Sequence, residues 1–180
     1  SLLSIFPVYA HDIGCKSAAI AAADTAAVIG PVARRLQAAG WEIATEVSFN
    51  VYGERGSIDI LAFHPASRAL VVIEVKTVVP DLGGMLATLD RKVRLAREIA
   101  RERGWDPVSV SRLLVLPDHR TARRRVVEHE ATFTVGFPQR NVEVNRWLTS
   151  PSGSISGLLF LPSADEGRTQ HGSNRAGRGG

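Results

Sequence analysis

Two acids and a lysine interrupt the apolar segments of GERGSIDILAFHPASRALVVIEVKT, residues 53–77. Asp59 lies in the first apolar segment, and Glu74 and Lys76 stand at the end of the second. Because buried charges are costly unless they are paired or bound to a metal, this placement requires an explanation. Side chains alternate between the faces of a strand, so Glu74 and Lys76 should project together while Val75 points into a core.

A hairpin formed by these two segments would place Asp59 beside Glu74. Neighbouring carboxylates repel each other unless a cation separates them. Two carboxylates with open positions for water and phosphate are typical of magnesium ligation, and the metal can polarise a phosphoryl oxygen and orient a hydroxide. Lys76 could stabilise the negative charge that develops. The simpler interpretation is a structural ion pair at the end of a sheet. The hairpin and the order of the elements favour the site.

The elements around this hairpin are predicted from periodicity and turn residues. Helical spacing of apolar residues predicts a helix at about 25–39, ended by Gly40. Alternation predicts a strand at 41–51, and a turn at 53–57 leads into the two segments described above. The segment at 69–77 is apolar nearly throughout, which is typical of a central strand covered on both faces.

A second long helix is predicted at about 82–103, with Gly104 as its C-terminal stop. Four segments follow it: a strand at 108–117, a helix at about 120–131, a strand or helix at 141–150, and an apolar segment at 155–162 that packs back on the core. Helices on either side of a sheet are the simplest way to bury both faces. The sequence therefore predicts an α/β fold with a mixed sheet of about four strands.

Asp59, followed by Glu74-Val75-Lys76 on a third strand, a long helix and a fourth strand, resembles the PD-(D/E)XK nuclease superfamily. That superfamily includes many restriction endonucleases and archaeal Holliday junction resolvases. The resemblance covers about residues 25–116 and implies a restriction-endonuclease-like αβββαβ core that cleaves DNA phosphodiesters with Mg²⁺ or Mn²⁺. By resemblance, Asp59 and Glu74 are the metal-binding acids, the Val75 backbone carbonyl is a further ligand, and Lys76 is the catalytic lysine.

Two features depart from the superfamily pattern. Ser57 stands where the resolvase-like members tend to have an acid, and the first predicted helix lacks the glutamate that many members carry. Glu46 on the first strand and Glu54 in the turn are candidates to replace it. The departures favour an alternative function, a DNA-binding or regulatory module that keeps the nuclease fold but is catalytically weak or inactive.

A second resemblance concerns the whole arrangement. The segments EVSFNVYGERGSIDILAFHP, LDRKVRLAREIARERGW and ISGLLFLP resemble the C-terminal part of actinobacterial proteins that begin with a helix-turn-helix domain. Residues 1–40 show no pattern of such a domain. The organisation expected is a poorly ordered alanine-rich leader at 1–24, one nuclease-like domain at 25–162, and a disordered Gly-, Ser- and Arg-rich tail at 163–180.

Basic residues cluster at 91–103 and 120–125 in a chain of net charge +4. A solvated helix face and a phosphate-binding surface explain these clusters equally well. Lys92 is the one expected to face the end of the sheet, because it lies one position from the apolar stripe of its helix. The candidate phosphate contacts are Arg91, Lys92, Arg94, Arg123 and Arg124.

The composition of the chain bears on its cellular location and on its partners. No apolar run approaches the roughly 18 residues of a membrane-spanning helix, so no membrane partner is expected. The single cysteine, Cys15, excludes an internal disulfide, and a reduced cytoplasmic location is the default expectation. The superfamily resemblance also allows a homodimer, because many of its enzymes dimerise to cut both strands of DNA.

Overall fold

The computed structural model describes residues 25, 27–78 and 81–162, and the leader and tail expected at 1–24 and 163–180 lie outside these residues. The strands are β1 (Glu42–Val51), β2 (Glu54–His64), β3 (Ala69–Val75), β4 (Ser109–Asp118) and β5 (Ser156–Pro162). The helices are α1 (27–38), α2 (Leu82–Arg101), α3 (Arg120–Glu128), α4 (Glu130–Gly136) and α5 (Asn141–Thr149).

The five strands form one mixed sheet in the order of the chain, β1-β2-β3-β4-β5. The β1–β2 and β2–β3 pairings are antiparallel, and the β3–β4 and β4–β5 pairings are parallel. The predicted α/β fold with a mixed sheet and flanking helices is confirmed. The expected count of about four strands is one too low, because the apolar segment near the end of the domain pairs with β4 as β5.

Helices cover both faces of the sheet. One core cluster joins the sheet to α2, α3 and α4, and the other joins it to α1 and α5. All seven residues of β3 are buried, as predicted for a central strand. Leu70 and Val72 face α2, and Val71 and Ile73 face α1. This alternation determines the direction of every side chain at the carboxyl end of β3.

The two predicted helix stops are confirmed. Gly40 has a φ of +86° and Gly104 a φ of +76°, a region that glycine enters without the steric penalty of a Cβ atom. After Gly40, the N–H of Trp41 donates to the carbonyl of Leu36 at 3.1 Å, which is the bond pattern of a Schellman stop. These stops set the chain direction into β1 and towards β4.

Three local expectations differ from the structure. The turn between β1 and β2 contains only Tyr52 and Gly53, because Glu54 already pairs with Val51. The predicted helix at 120–131 is two helices, which meet where His129 leaves the helical region with φ −121° and ψ 31°. The segment at 141–150, left open between strand and helix, forms α5.

The outer edges of the sheet are both interrupted. On β5, the Asn141 amide binds the Phe160 backbone, accepting its N–H at 2.9 Å and donating to its carbonyl at 3.1 Å. On β1, Glu46 has a φ of +51°, which breaks the regular strand geometry. In the described ranges, none of the helices combines the length and apolar character needed to cross a membrane.

Candidate functional site at the carboxyl end of strand β3

Glu74 is buried on the α2 side of the sheet. It follows Leu70 and Val72 in the alternation of β3, and its side chain is only 5% exposed. In the parallel pairing with β4 it lies opposite Leu114, another buried residue. A carboxylate in these surroundings loses its hydration and therefore requires charged or hydrogen-bonding partners.

Two lysines supply those partners. Lys76 Nζ donates to Glu74 Oε1 at 2.7 Å, and Lys92 Nζ donates to Glu74 Oε2 at 2.5 Å. The Lys92 side chain is 7% exposed, whereas that of Lys76 is 35% exposed. Each oxygen of Glu74 thus binds one ammonium group, which offsets the cost of removing the carboxylate from water.

Lys92 reaches Glu74 because it lies in the buried stripe of α2. It stands three residues after Leu89 and four before Ala96, and both are buried against the sheet. The sequence predicts that Lys92 lies near the end of the sheet and contacts a phosphate. In the structure its ammonium is buried against Glu74 and is not presented at the surface. The available signal was its helical spacing from Leu89 and Ala96.

Asp59 lies where β2 separates from β3. The β2–β3 pairing ends at Ile60 opposite Ile73, and the next row in this register would set Asp59 opposite Glu74. Asp59 Oδ2 accepts the backbone N–H of Val75 at 2.7 Å. Its side chain therefore supplies an acceptor to β3 at the point where the strand pairing stops.

A change of face in β2 explains this position of Asp59. Ile58 packs in the cluster on the α2 side, and Ile60 packs in the cluster on the α1 side. Residues two apart in a regular strand would share a face, so the alternation shifts at Asp59. Glu46, whose φ is positive, lies between the paired positions Thr45 and Val47 and therefore in the row opposite Asp59.

The electrostatics of Asp59 reflect its neighbours. Burial is the largest cause that raises the pKa of Asp59, and the charge of Glu74 raises it further. The hydrogen bond from Val75 and the charges of Lys92 and Lys76 lower the pKa, but they do not cancel the rise. The carboxylate form of Asp59 is therefore incompletely stabilised by the protein alone.

Of the two candidates for an additional acid, Glu54 lies far from this pair, and Glu46 lies in the row opposite Asp59. Glu54 lies five residues from Asp59, about 16 Å along the strand, and its carboxylate accepts hydrogen bonds from Arg94. Glu46 is exposed on the edge strand. Over the residues that the structure describes, no three acid, histidine or cysteine side chains are grouped to hold a metal. The carboxylates at the site are those of Asp59 and Glu74, and the backbone group of Val75 that contacts Asp59 is its N–H.

The other predicted phosphate contacts lie in or near surface ion pairs. Arg94 pairs with Glu54 at 2.8 Å, and the neighbouring Arg91 is partly buried. Exposed ion pairs of this kind contribute only about 0–1 kcal/mol, so an arginine can exchange its carboxylate for a phosphate at little cost.

The arginines of α3 also lie in exposed ion pairs, in which a phosphate could replace the carboxylate at little cost. Arg123 binds Asp118 through Nε at 2.5 Å and lowers the pKa of that carboxyl, chiefly through the hydrogen bond. Arg124 Nε lies 3.3 Å from Glu128. Because β3 and β4 run parallel and α3 begins directly after β4, α3 starts at the same edge of the sheet as Lys76.

No family model, curated protein or solved structure matches this chain. The functional interpretation depends on the geometry of the site. That geometry combines two carboxylates, a backbone N–H and two ammonium groups at the carboxyl end of the central strand.

Proposed function

We propose that the chain is a metal-dependent DNA endonuclease or resolvase-like phosphodiesterase that acts in the cytoplasm. Mg²⁺ or Mn²⁺ would be held by Asp59, Glu74 and the backbone carbonyl of Val75. The observation that carries the proposal is the burial of Glu74, 4% exposed, between two lysines and opposite a second acid, Asp59, in the register of β2 and β3. A purely structural pair would not require a second carboxylate that raises the electrostatic cost.

The donor set fits a hard divalent cation. Burial, and then the negative charge of Glu74, raise the pKa of Asp59, so its anion is incompletely stabilised by the protein alone and the two carboxylates repel each other. A divalent cation between the two carboxylates would reverse that repulsion. Magnesium prefers oxygen ligands and usually retains several waters, so two carboxylates and one carbonyl leave positions for water and a phosphate oxygen. When bound, the metal would polarise the phosphoryl group and acidify a water ligand.

The two lysines would have different roles. Lys76 is about one-third exposed and can leave Glu74 to meet an incoming phosphate, where its ammonium would stabilise the developing negative charge. Lys92 is buried and would remain beside Glu74, so it acts as a positioning residue for that carboxylate. Exposed arginines such as Arg94, Arg123 and Arg124 would bind phosphates farther along the DNA.

A plasmid-nicking assay with and without Mg²⁺ tests the proposal. Asp59→Asn keeps the size of the side chain and an oxygen that can accept the Val75 N–H, and Lys76→Ala removes a partly exposed ammonium. Both variants should reduce nicking by about 100-fold or more. The matched control is Asp106→Asn, an exposed acid that pairs with Arg68 away from the site. Equal nicking by wild type and Asp59→Asn would refute the assignment.

Metal binding should be measured independently of activity. Mn²⁺ should raise the melting temperature of wild type and of Asp106→Asn, because a ligand that binds only the folded state stabilises it. The same titration should leave Asp59→Asn unchanged. This readout shows whether a loss of nicking arises from loss of the metal.

The alternative is a DNA-binding or regulatory module that keeps the fold without the chemistry. One observation favours it: both oxygens of Glu74 already bind ammonium groups, so two lysines balance two acids without a metal. This function predicts DNA binding that does not depend on divalent metal. It also predicts that Mn²⁺ leaves the melting temperature of wild type unchanged.

A further inference from the structure

Strands β1 and β2 extend past the candidate site as a two-stranded ribbon, which we define as residues 47–58. The β2–β3 pairing ends at Ile60, whereas the β1–β2 pairing continues to Val51 opposite Glu54. The ribbon therefore projects about 20 Å beyond Asp59, at about 3.3 Å per residue. It has two faces with different compositions.

The face towards α2 is apolar and holds the ribbon in place. Val47, Phe49 and Ile58 are buried in the core cluster on the α2 side. The Phe49 ring lies over Gly56, where an added Cβ would stand 2.8 Å from Phe49 Cζ. This packing keeps the ribbon rigid, so the opposite face is presented without a large ordering cost on binding.

The opposite face is exposed and carries hydrogen-bonding side chains. Ser48 pairs with Ser57 and Asn50 pairs with Arg55, so the four side chains form two adjacent rows. All four residues are exposed. Tyr52 stands at the tip, in the turn, and is 83% exposed.

The chemistry of this face matches the backbone of a nucleic acid. Hydroxyl, amide, guanidinium and phenol groups are the donors that proteins direct at phosphate and sugar oxygens. Tyr52 is the only one of these side chains that could contribute to the apolar centre that protein–protein interfaces bury. Ser57 leaves the face without the negative charge that an acid there would bring against a phosphate.

The ribbon is also continuous with the candidate site. Ser57 lies two residues before Asp59 on the same strand, about 7 Å away along the chain. Arg55 lies two residues before Ser57, at about twice that distance from Asp59 along the chain, and supplies the positive charge of the face. We propose that the exposed face of the β1–β2 ribbon binds the sugar–phosphate backbone of a DNA duplex and directs it to the Asp59–Glu74 site. The identity of the polymer rests on the proposed function.

Fluorescence anisotropy with a short labelled DNA duplex, in buffer with EDTA, tests the ribbon without cleavage. Arg55→Glu and Ser57→Asp should each weaken binding about tenfold, because each adds negative charge where a phosphate would lie. Log affinity falls as log salt concentration rises, and Arg55→Ala should make this fall less steep by about 0.9, the value for one lost phosphate contact. The matched control is Arg103→Glu, which makes the same charge change at an exposed residue beyond the end of α2. It should change affinity less than about twofold.

The outcomes separate the ribbon from the chemistry. Ribbon variants that bind as tightly as Arg103→Glu, or a wild type that does not bind the duplex, would overturn the ribbon proposal. Tighter binding of wild type to an RNA duplex than to the DNA duplex would overturn DNA as its partner. Weakened binding by the ribbon variants together with no metal-dependent nicking by any protein would support the ribbon and refute the endonuclease. Unchanged melting temperatures of the variants would show that the exposed substitutions leave the fold intact.

Discussion

Lys92→Met should destabilise the fold far more than the same change at Lys76. Methionine keeps the apolar stem of Lys92 and removes the ammonium that binds Glu74 Oε2. Removing one partner of a buried ion pair costs about 3–5 kcal/mol, because the other charge stays buried without it. Glu74 retains Lys76, so we expect about 3 kcal/mol, the lower end of that range. Lys76→Met should cost about 1 kcal/mol or less, since its side chain is partly hydrated.

Urea unfolding followed by tryptophan fluorescence measures this difference. At about 2–4 °C per kcal/mol for a chain of this length, Lys92→Met should also lower the melting temperature by about 6–12 °C. The double variant Glu74→Leu and Lys92→Met should recover most of the lost stability, because an apolar replacement of a buried pair is often neutral. Equal stability of Lys92→Met and Lys76→Met would show that the loss of the buried ammonium partner of Glu74 is not the source of the cost. A double variant less stable than Lys92→Met alone would refute the same explanation.

Three further predictions concern the fold around the site. Burial and Glu74 raise the pKa of Asp59 above its ordinary value of 3.8, so ionisation of Asp59 destabilises the folded state as pH rises above that value. In metal-free buffer, the melting temperature of Asp59→Asn minus that of wild type should therefore increase as the pH rises above 3.8 and become constant above the folded-state pKa of Asp59; a difference that stays constant throughout would contradict this. Gly157→Ala should cost about 1–3 kcal/mol in urea unfolding, because an added Cβ would meet Val144 and stand 2.7 Å from Leu113 Cδ2. His119→Ala should lower the free energy of unfolding by about 1 kcal/mol, since His119 Nδ1 accepts the Ala122 N–H at the start of α3. His119→Asn should retain this stability, because asparagine can accept the same N–H.

Local signals in the sequence were sufficient for the elements that carry the two acids. The uninterrupted apolar run of β3 predicted a central strand, and all of its residues are buried. Period-two alternation predicted β1, and Gly40 and Gly104 predicted two helix ends. Hairpin geometry predicted that Asp59 would come beside Glu74, and the β2–β3 register brings them to neighbouring positions. These features depend on neighbouring residues, so they can be read from a single segment.

Features that depend on distant pairing were not predictable in this way. Helical spacing predicts that Lys92 faces the sheet, but it does not identify the partner, Glu74, which lies 18 residues earlier on another element. The segment at 155–162 becomes a strand because it pairs with β4, and its own residues do not distinguish a strand from a loop that packs on the core. The break at His129 carries no glycine or proline signal. Contacts between distant parts of the chain decide these cases, and the local sequence pattern does not distinguish the alternative structures.

The interrupted edges of the sheet affect how this protein can associate with itself. An edge strand with regular unpaired N–H and C=O groups is a template for strand addition and aggregation. Asn141 occupies that position on β5 by binding both polar groups of Phe160, and the left-handed backbone of Glu46 distorts the free edge of β1. Extension of the sheet from one copy into the next is therefore disfavoured at both sides. A dimer of this chain would therefore not be built by joining the two sheets at these edges.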